Sequence, residues 1–355
     1  MQEVAPHWQQ LAALADQLAQ PGLPPGEIAG DDWKIIDETQ ERLLAAGDWE
    51  GLLRLRNLFT ALLAQDSVTG LPVLQRLDDL AISAARQLGN QAELGHLLGA
   101  RGHNLHRQGF HERAIAAFDE SAKAYWGIGK ERPGLESYYM ESLCYRAVGK
   151  RTRAKEILAD VLARIDPQDP WRGNPLQVLA WLLQDEGRLA DAEALLREAL
   201  ELEKKTADPD MLVAGNLADL AELVGILGRT EEARGLFNES LAIFDRHQGQ
   251  YERQEARTLL KYSELWMHQK DFERALEMLN RADDKIRKYG HYYDLLWQIE
   301  LAKAFIYLRK RELRNCLLKL RSTFRLRHIL GLSNLTLAQF VARRYLQRLL
   351  RARRL

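Results

Sequence analysis

The sequence predicts an all-α protein, a superhelical solenoid of stacked helix-turn-helix hairpins, and three observations predict it. A small residue recurs at one point of a two-helix pattern, at Ala114, Ala154, Ala192, Ala233, Ala275 and Cys316, with spacings of 40, 38, 41, 42 and 41 residues. A fixed period in this range marks stacked supersecondary units rather than one compact core. The positions around each small residue agree from copy to copy. No segment shows sustained two-residue alternation of apolar and polar residues, so no strand is expected.

Taken in chain order, residues 5–20 read as a short helix with Trp8, Leu11, Leu14 or Ala15, and Leu18 on one face. Pro21–Asp32 carries three prolines and three glycines and cannot be helical throughout. Helices follow at 33–46, 48–66 and 71–88, with Gly47 at the turn of a degenerate hairpin spanning Glu41–Leu63. Residues 1–89 are therefore read as an N-terminal cap and degenerate first repeat, because a terminal unit turns one face to water. Residues 90–330 hold six clear units. Residues 331–355 form a basic C-terminal capping helix, with Leu335, Phe340, Leu346 and Leu350 apolar and Arg343, Arg344, Arg348 and Arg351 among its charges.

Within the six units the register is tight. Twelve residues before the small residue stand Gly102, Ser142, Ala180, Ala221, Ser263 and Ala304, all small. Nine before stand Leu105, Tyr145, Leu183, Val224, Trp266 and Tyr307, all large. Five before stand Gly109, Gly149, Gly187 and Gly228, then Lys270 and Arg311. Four after stand Phe118, Leu158, Leu196, Phe237, Leu279 and Leu320. Small side chains on two facing helices let their axes approach, and the large ones fill the space beside them. Glycine at the turn supplies the left-handed conformation that ends a helix.

This pattern resembles the tetratricopeptide repeat family, most clearly in GFHERAIAAFDESAKAY (Gly109–Tyr125), GRLADAEALLREALEL (Gly187–Leu202) and Asn216–Phe244. The degenerate front hairpin and long repeats are similar to the sensor arrays of bacterial signal-transduction ATPases and large transcription regulators. The resemblance implies a stand-alone recognition subunit, a non-catalytic scaffold or adaptor that binds a peptide or partner protein in a concave groove lined by the first helix of each hairpin. It places His96, His103, His106 and Arg107 of the first unit on that groove. Glu136, Tyr139 and Arg146 of the second follow, then Asn174, Gln177, Trp181 and Gln184 of the third. Glu222, Arg257 and Glu264 belong to the fourth and fifth, and apolar Leu260, Leu301 and Leu308 to the last two. Amides and aromatics of this kind suit an extended peptide.

Other chemistries find little support. His96, His103 and His106 share a helical stripe with Glu93 one turn earlier, so imidazoles could meet one metal. They sit on one open helix with no fourth ligand, whereas His111 begins the next helix and faces elsewhere, so no metal or other cofactor is assigned. Gly127–Lys130 lacks the earlier glycine of a phosphate loop, and no nucleophile turn is present, so no enzymatic activity is expected. Cys144 and Cys316 lie four repeats apart, which argues against a disulfide, and with no secretory signal or apolar span a cytoplasmic setting is expected.

The formal net charge is zero, but residues 301–355 carry 15 basic and 1 acidic residue, whereas residues 1–99 carry 6 and 14. Three roles fit the basic end. It could cap the array, associate with the acidic front of a second copy, or bind nucleic acid or anionic lipid, the alternative to groove recognition.

Overall fold

The computed structural model describes residues 5–18, 30–60, 72–205, 210–247, 250–289 and 293–329, and these are helical with no strand among them. Among the described residues sixteen α-helices run in order: α1 (Ala5–Leu18), α2 (Gly30–Ala46), α3 (Trp49–Leu58), α4 (Pro72–Gln87), α5 (Gln91–Arg107), α6 (His111–Gly127), α7 (Glu131–Ala147) and α8 (Arg151–Arg164) come first. A short 3-10 turn, Pro170–Arg172, then leads into α9 (Gly173–Asp185) and α10 (Leu189–Glu203). The last six are α11 (Asp210–Ile226), α12 (Thr230–Arg246), α13 (Glu252–His268), α14 (Phe272–Tyr289), α15 (Tyr293–Arg309) and α16 (Leu313–Ile329). No helix among the described residues is long and apolar enough to cross a membrane. The expected basic helix at 331–355, with Arg343, Arg344, Arg348 and Arg351, lies outside the described residues.

One helix differs from expectation. The helix expected over 48–66 is broken at Phe59, which leaves helical geometry with its amide turned back to Arg56; Thr60 is helical again, and residues 61–66 lie outside the described residues. Phe59 is fully buried against Leu52, Leu55 and Leu74, so tertiary packing takes the residue that periodicity alone would have kept in the helix.

The periodic positions do what their sizes require. All six small residues are buried, and so are Gly102, Ser142, Ala180, Ala221, Ser263 and Ala304 on the partner helices. At Gly102 an added Cβ would lie 2.7 Å from the Phe118 ring, so α5 and α6 approach as closely as the backbone allows. Each hairpin closes in the same way. Gly109, Gly149, Gly187 and Gly228 have φ between 81° and 83°. The amide one residue further on then donates to the carbonyl of the large residue five positions back: Phe110 to Leu105 (2.9 Å), Lys150 to Tyr145 (2.8 Å), Arg188 to Leu183 (2.9 Å) and Arg229 to Val224 (3.1 Å). Lys270 and Arg311 take the same left-handed conformation, with φ of 61° and 62°. Their bonds match, Asp271 to Trp266 (3.0 Å) and Glu312 to Tyr307 (2.9 Å). The last two hairpins thus keep the geometry without the glycine.

The chain forms two compact units, 1–223 and 224–355, with the division inside α11. In the first, the interior is a succession of small cores, each shared by sequence neighbours. Leu105, Ala114, Phe118 and Cys144 join α5, α6 and α7. Leu135, Ile157, Val161 and Ile165 join α7 and α8. Ala154, Leu158, Val178 and Leu182 join α8 and α9. Each large aliphatic side chain buried here stabilises its hairpin by about 1.5–3 kcal/mol, and almost none of it reaches across the whole unit. The second unit is charge-laced as well as apolar. Lys303 is buried and donates to Asp283 (2.8 Å), Lys319 to the buried Glu300 (3.1 Å), and Lys285 to Glu255 (2.7 Å).

Candidate functional site

The third repeat is where polar and aromatic side chains converge. Asp219, on α11, is the hub. The Gln177 amide donates to its Oδ2 at 2.6 Å and the Trp181 indole N–H donates to the same oxygen at 3.1 Å. Gln177 and Trp181 stand four apart on α9, so one helical face presents both to α11. Asp219 itself is buried, which makes these two donors its compensation for desolvation. The Trp181 ring is left half-buried, with the Arg146 guanidinium 5.3 Å from its centroid. Arg146 in turn donates to Asp185 at 3.2 Å.

A second aromatic station adjoins the first. Tyr139, on α7, meets Trp171 edge-to-face with ring centroids 5.6 Å apart. Arg132 lies over Trp171 at 4.3 Å from its centroid and donates to Glu136 at 2.9 Å and to Asp169 at 2.5 Å. Asp169 also caps the turn that carries Trp171, accepting from its amide at 2.9 Å. The Asn174 amide faces the Trp171 carbonyl at 3.4 Å, the long end of the hydrogen-bond range. Tyr139 keeps part of its surface open, yet its phenol is pushed well above its ordinary pKa, first by burial and then by the charges of Glu203 and Asp219.

Glu203, on α10, is buried and accepts from the Asn216 amide at 2.5 Å. Burial raises its pKa to about 7, the Asn216 bond opposes that rise, and the nearby Asp219 charge adds to it. Gly173, at the start of α9, leaves room for this carboxyl, since an added Cβ would lie 2.6 Å from its Oε1.

The expected groove residues divide accordingly. Tyr139, Arg146, Gln177 and Trp181 come together, with Asn174 and Glu136 at the edge through Trp171 and Arg132. Gln184 is half-buried on the same helix. The Trp181 indole N–H and one Gln177 N–H are held by Asp219. In the first repeat His96 is exposed, and His103 packs edge-on to Phe118 with centroids 5.2 Å apart. Its pKa is lowered by burial and by Arg107. His106 does not join the other two. It turns to His111, 5.1 Å away between ring centroids, which corrects the expectation that His111 faces elsewhere. Beyond the third repeat, Glu222 is half-buried and Arg257 exposed. Glu264, Leu260 and Leu301 are buried instead of lining a surface.

Asp219, Glu203 and Trp171 escaped the sequence reading. Asp219 sits two residues before the periodic small position Ala221. The signal was a carboxylate, Asp219, between Leu217–Ala218 and Leu220–Ala221 in an otherwise apolar stretch, where burial forces a partner. Trp171 lies on the loop before α9, outside the repeat register. Of the basic end, Lys303, Lys310 and Lys319 pair with carboxylates of their own unit, and Arg343, Arg344, Arg348 and Arg351 lie outside the described residues.

Residues 175–206 match the tetratricopeptide repeat family. That segment holds α9 and α10, the hairpin that carries Gln177, Trp181 and Glu203. No curated protein shows significant sequence similarity to the chain. Among solved structures, the fold is similar to a Rap conjugation gene regulator of plasmid pLS20 in complex with a Phr peptide. There the TM-score is 0.57 and the identity 10%, over 87% of this chain and 80% of that one. It is similar also to a Rap protein complexed with competence and sporulation factor (TM-score 0.56, 14% identity, 93% and 99% coverage). A third is NprR in complex with its cognate peptide NprX (TM-score 0.54, 15% identity, 86% and 92% coverage). The described residues thus share the all-α helical-repeat fold of these structures, and the hairpin 175–206 matches the tetratricopeptide repeat family.

Proposed function

We propose that this tetratricopeptide-repeat chain is a non-catalytic recognition module that captures a peptide, or an extended segment of a partner protein, on the face formed by α7, α9 and α11 of its first unit. The observation that carries the reading is the Asp219 hub. A buried carboxylate holds Trp181 at one fixed angle while leaving its ring half-open, and Tyr139 and Trp171 make a second ring station beside it. Rigid, partly open aromatics flanked by Arg132 and Arg146 are what peptide side chains pack against, and Arg and aromatic residues dominate such contacts energetically. The spare Gln177 N–H and carbonyl, with Asn174, suit a peptide backbone. That structurally similar proteins were solved with peptides bound adds support. A role in a bacterial signalling system is the finer form of the same reading.

The test is a selection of peptides from a random display library on the wild-type chain. Binding of the selected peptides is then measured to a Tyr139→Ala, Arg146→Glu, Trp181→Ala triple variant and to a truncation after Leu330. Removing two aromatic anchors and reversing one charge is expected to weaken binding by at least about 30-fold, since each anchor of this kind contributes about 1–2 kcal/mol or more. The truncation is expected to bind as the wild type does. Unchanged binding by the triple variant refutes the reading. Binding lost on truncation and steeply dependent on salt favours the basic end instead.

A further inference from the structure

Outside the aromatic face, the first unit brings two imidazoles and a thiol together from three different helices. His106 ends α5, His111 begins α6 and Cys144 lies in the last turn of α7. The potential ligand atoms of all three lie within 4.8 Å of one another. Cys144 Sγ is 3.3 Å from His106 Nδ1, and the two rings are 5.1 Å apart between centroids. His111 Nδ1 is buried and has no hydrogen-bond partner, a cost that a core does not carry without reason. Cys144 is fully buried.

We infer that His106, His111 and Cys144 form a binding site for a divalent transition-metal ion of the zinc class, with three protein ligands and a fourth position open to water. The chemistry selects the ion. One thiolate and two imidazoles suit borderline-soft Zn2+ and not Mg2+ or Ca2+, which take oxygen. Around one zinc ion, with Zn–N near 2.0–2.1 Å and Zn–S near 2.3 Å, tetrahedral ligand atoms stand roughly 3.3–3.6 Å apart. The observed Sγ–Nδ1 separation already meets that spacing, and the other separations within the group are no more than 4.8 Å. His106 and His111 are only half-buried, which leaves a path for the ion and a water.

Coordination needs the thiolate. The S–H bond breaks, sulfur keeps the electron pair that then binds the metal, and the proton leaves to solvent. Burial holds the free thiol's pKa up to about 12, with the Glu141 charge adding to it, so the ion's own charge supplies what deprotonation requires. The repeat pattern accounts for none of these identities. The equivalent of Cys144 in the next repeat is Leu182, and His111 falls where Arg151 and Leu189 stand. Bound metal would clamp α5, α6 and α7 at one point. The inference stands apart from the peptide-recognition reading and survives its failure.

The experiment is a Co2+ titration of the full chain, purified with a reductant that does not bind metal and first stripped with a chelator. One equivalent per chain is expected, with a thiolate-to-cobalt charge-transfer band in the near ultraviolet and visible bands of tetrahedral strength, both erased by stoichiometric Zn2+. Cys144→Ser removes the charge-transfer band. His106→Ala and His111→Ala each weaken binding by more than about 10-fold, the least that loss of even a supporting group costs. Cys316→Ser and His96→Ala bind as wild type, and circular dichroism checks that every variant is folded. No charge-transfer band in the wild type, or a band that survives Cys144→Ser, overturns the assignment. Binding of Cu+ with neither Co2+ nor Zn2+ overturns the divalent class.

Discussion

Close helix approach at Gly102 can be isolated by comparing it with a glycine that has no such duty. Gly102→Ala and Gly215→Ala make the same chemical change at helix interiors of the first unit, in α5 and α11. Each gains about 0.8–1 kcal/mol of helix propensity. They differ in what the new methyl meets. At Gly102 it lies 2.7–2.8 Å from three carbons of the Phe118 ring, and Phe118 is fully buried and cannot retreat. At Gly215 nothing lies within 4 Å. Overpacking of this kind costs about 1–3 kcal/mol. Gly215→Ala is therefore expected to raise stability by about 0.8–1 kcal/mol. Gly102→Ala is expected to be neutral or to lose up to about 2 kcal/mol. The difference between the two cancels propensity and measures the overlap alone. Urea unfolding followed by circular dichroism and by Trp fluorescence reads both. If Gly102→Ala stabilises as much as Gly215→Ala, the axes of α5 and α6 are not as close as described, and the packing account of the small-residue period falls with it.

Three further outcomes follow from the same structure. Lys270→Gly and Arg311→Gly relieve left-handed strain of about 1–2 kcal/mol, less the extra freedom glycine gives the unfolded chain, so a small gain in thermal stability is expected; a clear loss would contradict the positive φ. Glu203 has its pKa raised from 4.5 to about 7 in the folded chain. The folded state therefore holds a proton that the unfolded state has lost, and stability falls as pH rises from about 4.5 to about 7, by up to roughly 3 kcal/mol. Glu203→Gln should flatten that difference, and parallel pH profiles for the two proteins would refute the burial argument. Asp219→Ala strips Trp181 and Gln177 of a shared acceptor and is expected to cost about 1–3 kcal/mol in stability, with an altered indole N–H resonance for Trp181; an unmoved resonance would mean that the hub does not hold the ring.

The division between sequence and tertiary structure runs along the range of the interactions. Helical hairpins, their turns and their small-against-large register rest on neighbours within about 40 residues, so Ala114, Gly109 and Phe118 announced their roles by position alone. Even Lys270 and Arg311 were placed correctly at the turns, although only the backbone geometry showed that they adopt glycine's conformation. What periodicity could not decide was which side chains one turn apart end up facing each other across helices. A rotation of one residue about a helix axis moves a side chain by about 100°. That step separates the small, buried Ala218 from Asp219, the hub. It also separates a stripe of three histidines on one helix from the observed trio of His106, His111 and Cys144 on three. Buried polar contacts depend on such angles and on distances of a few tenths of an ångström. They are settled by packing between helices, which no single stretch of the chain encodes.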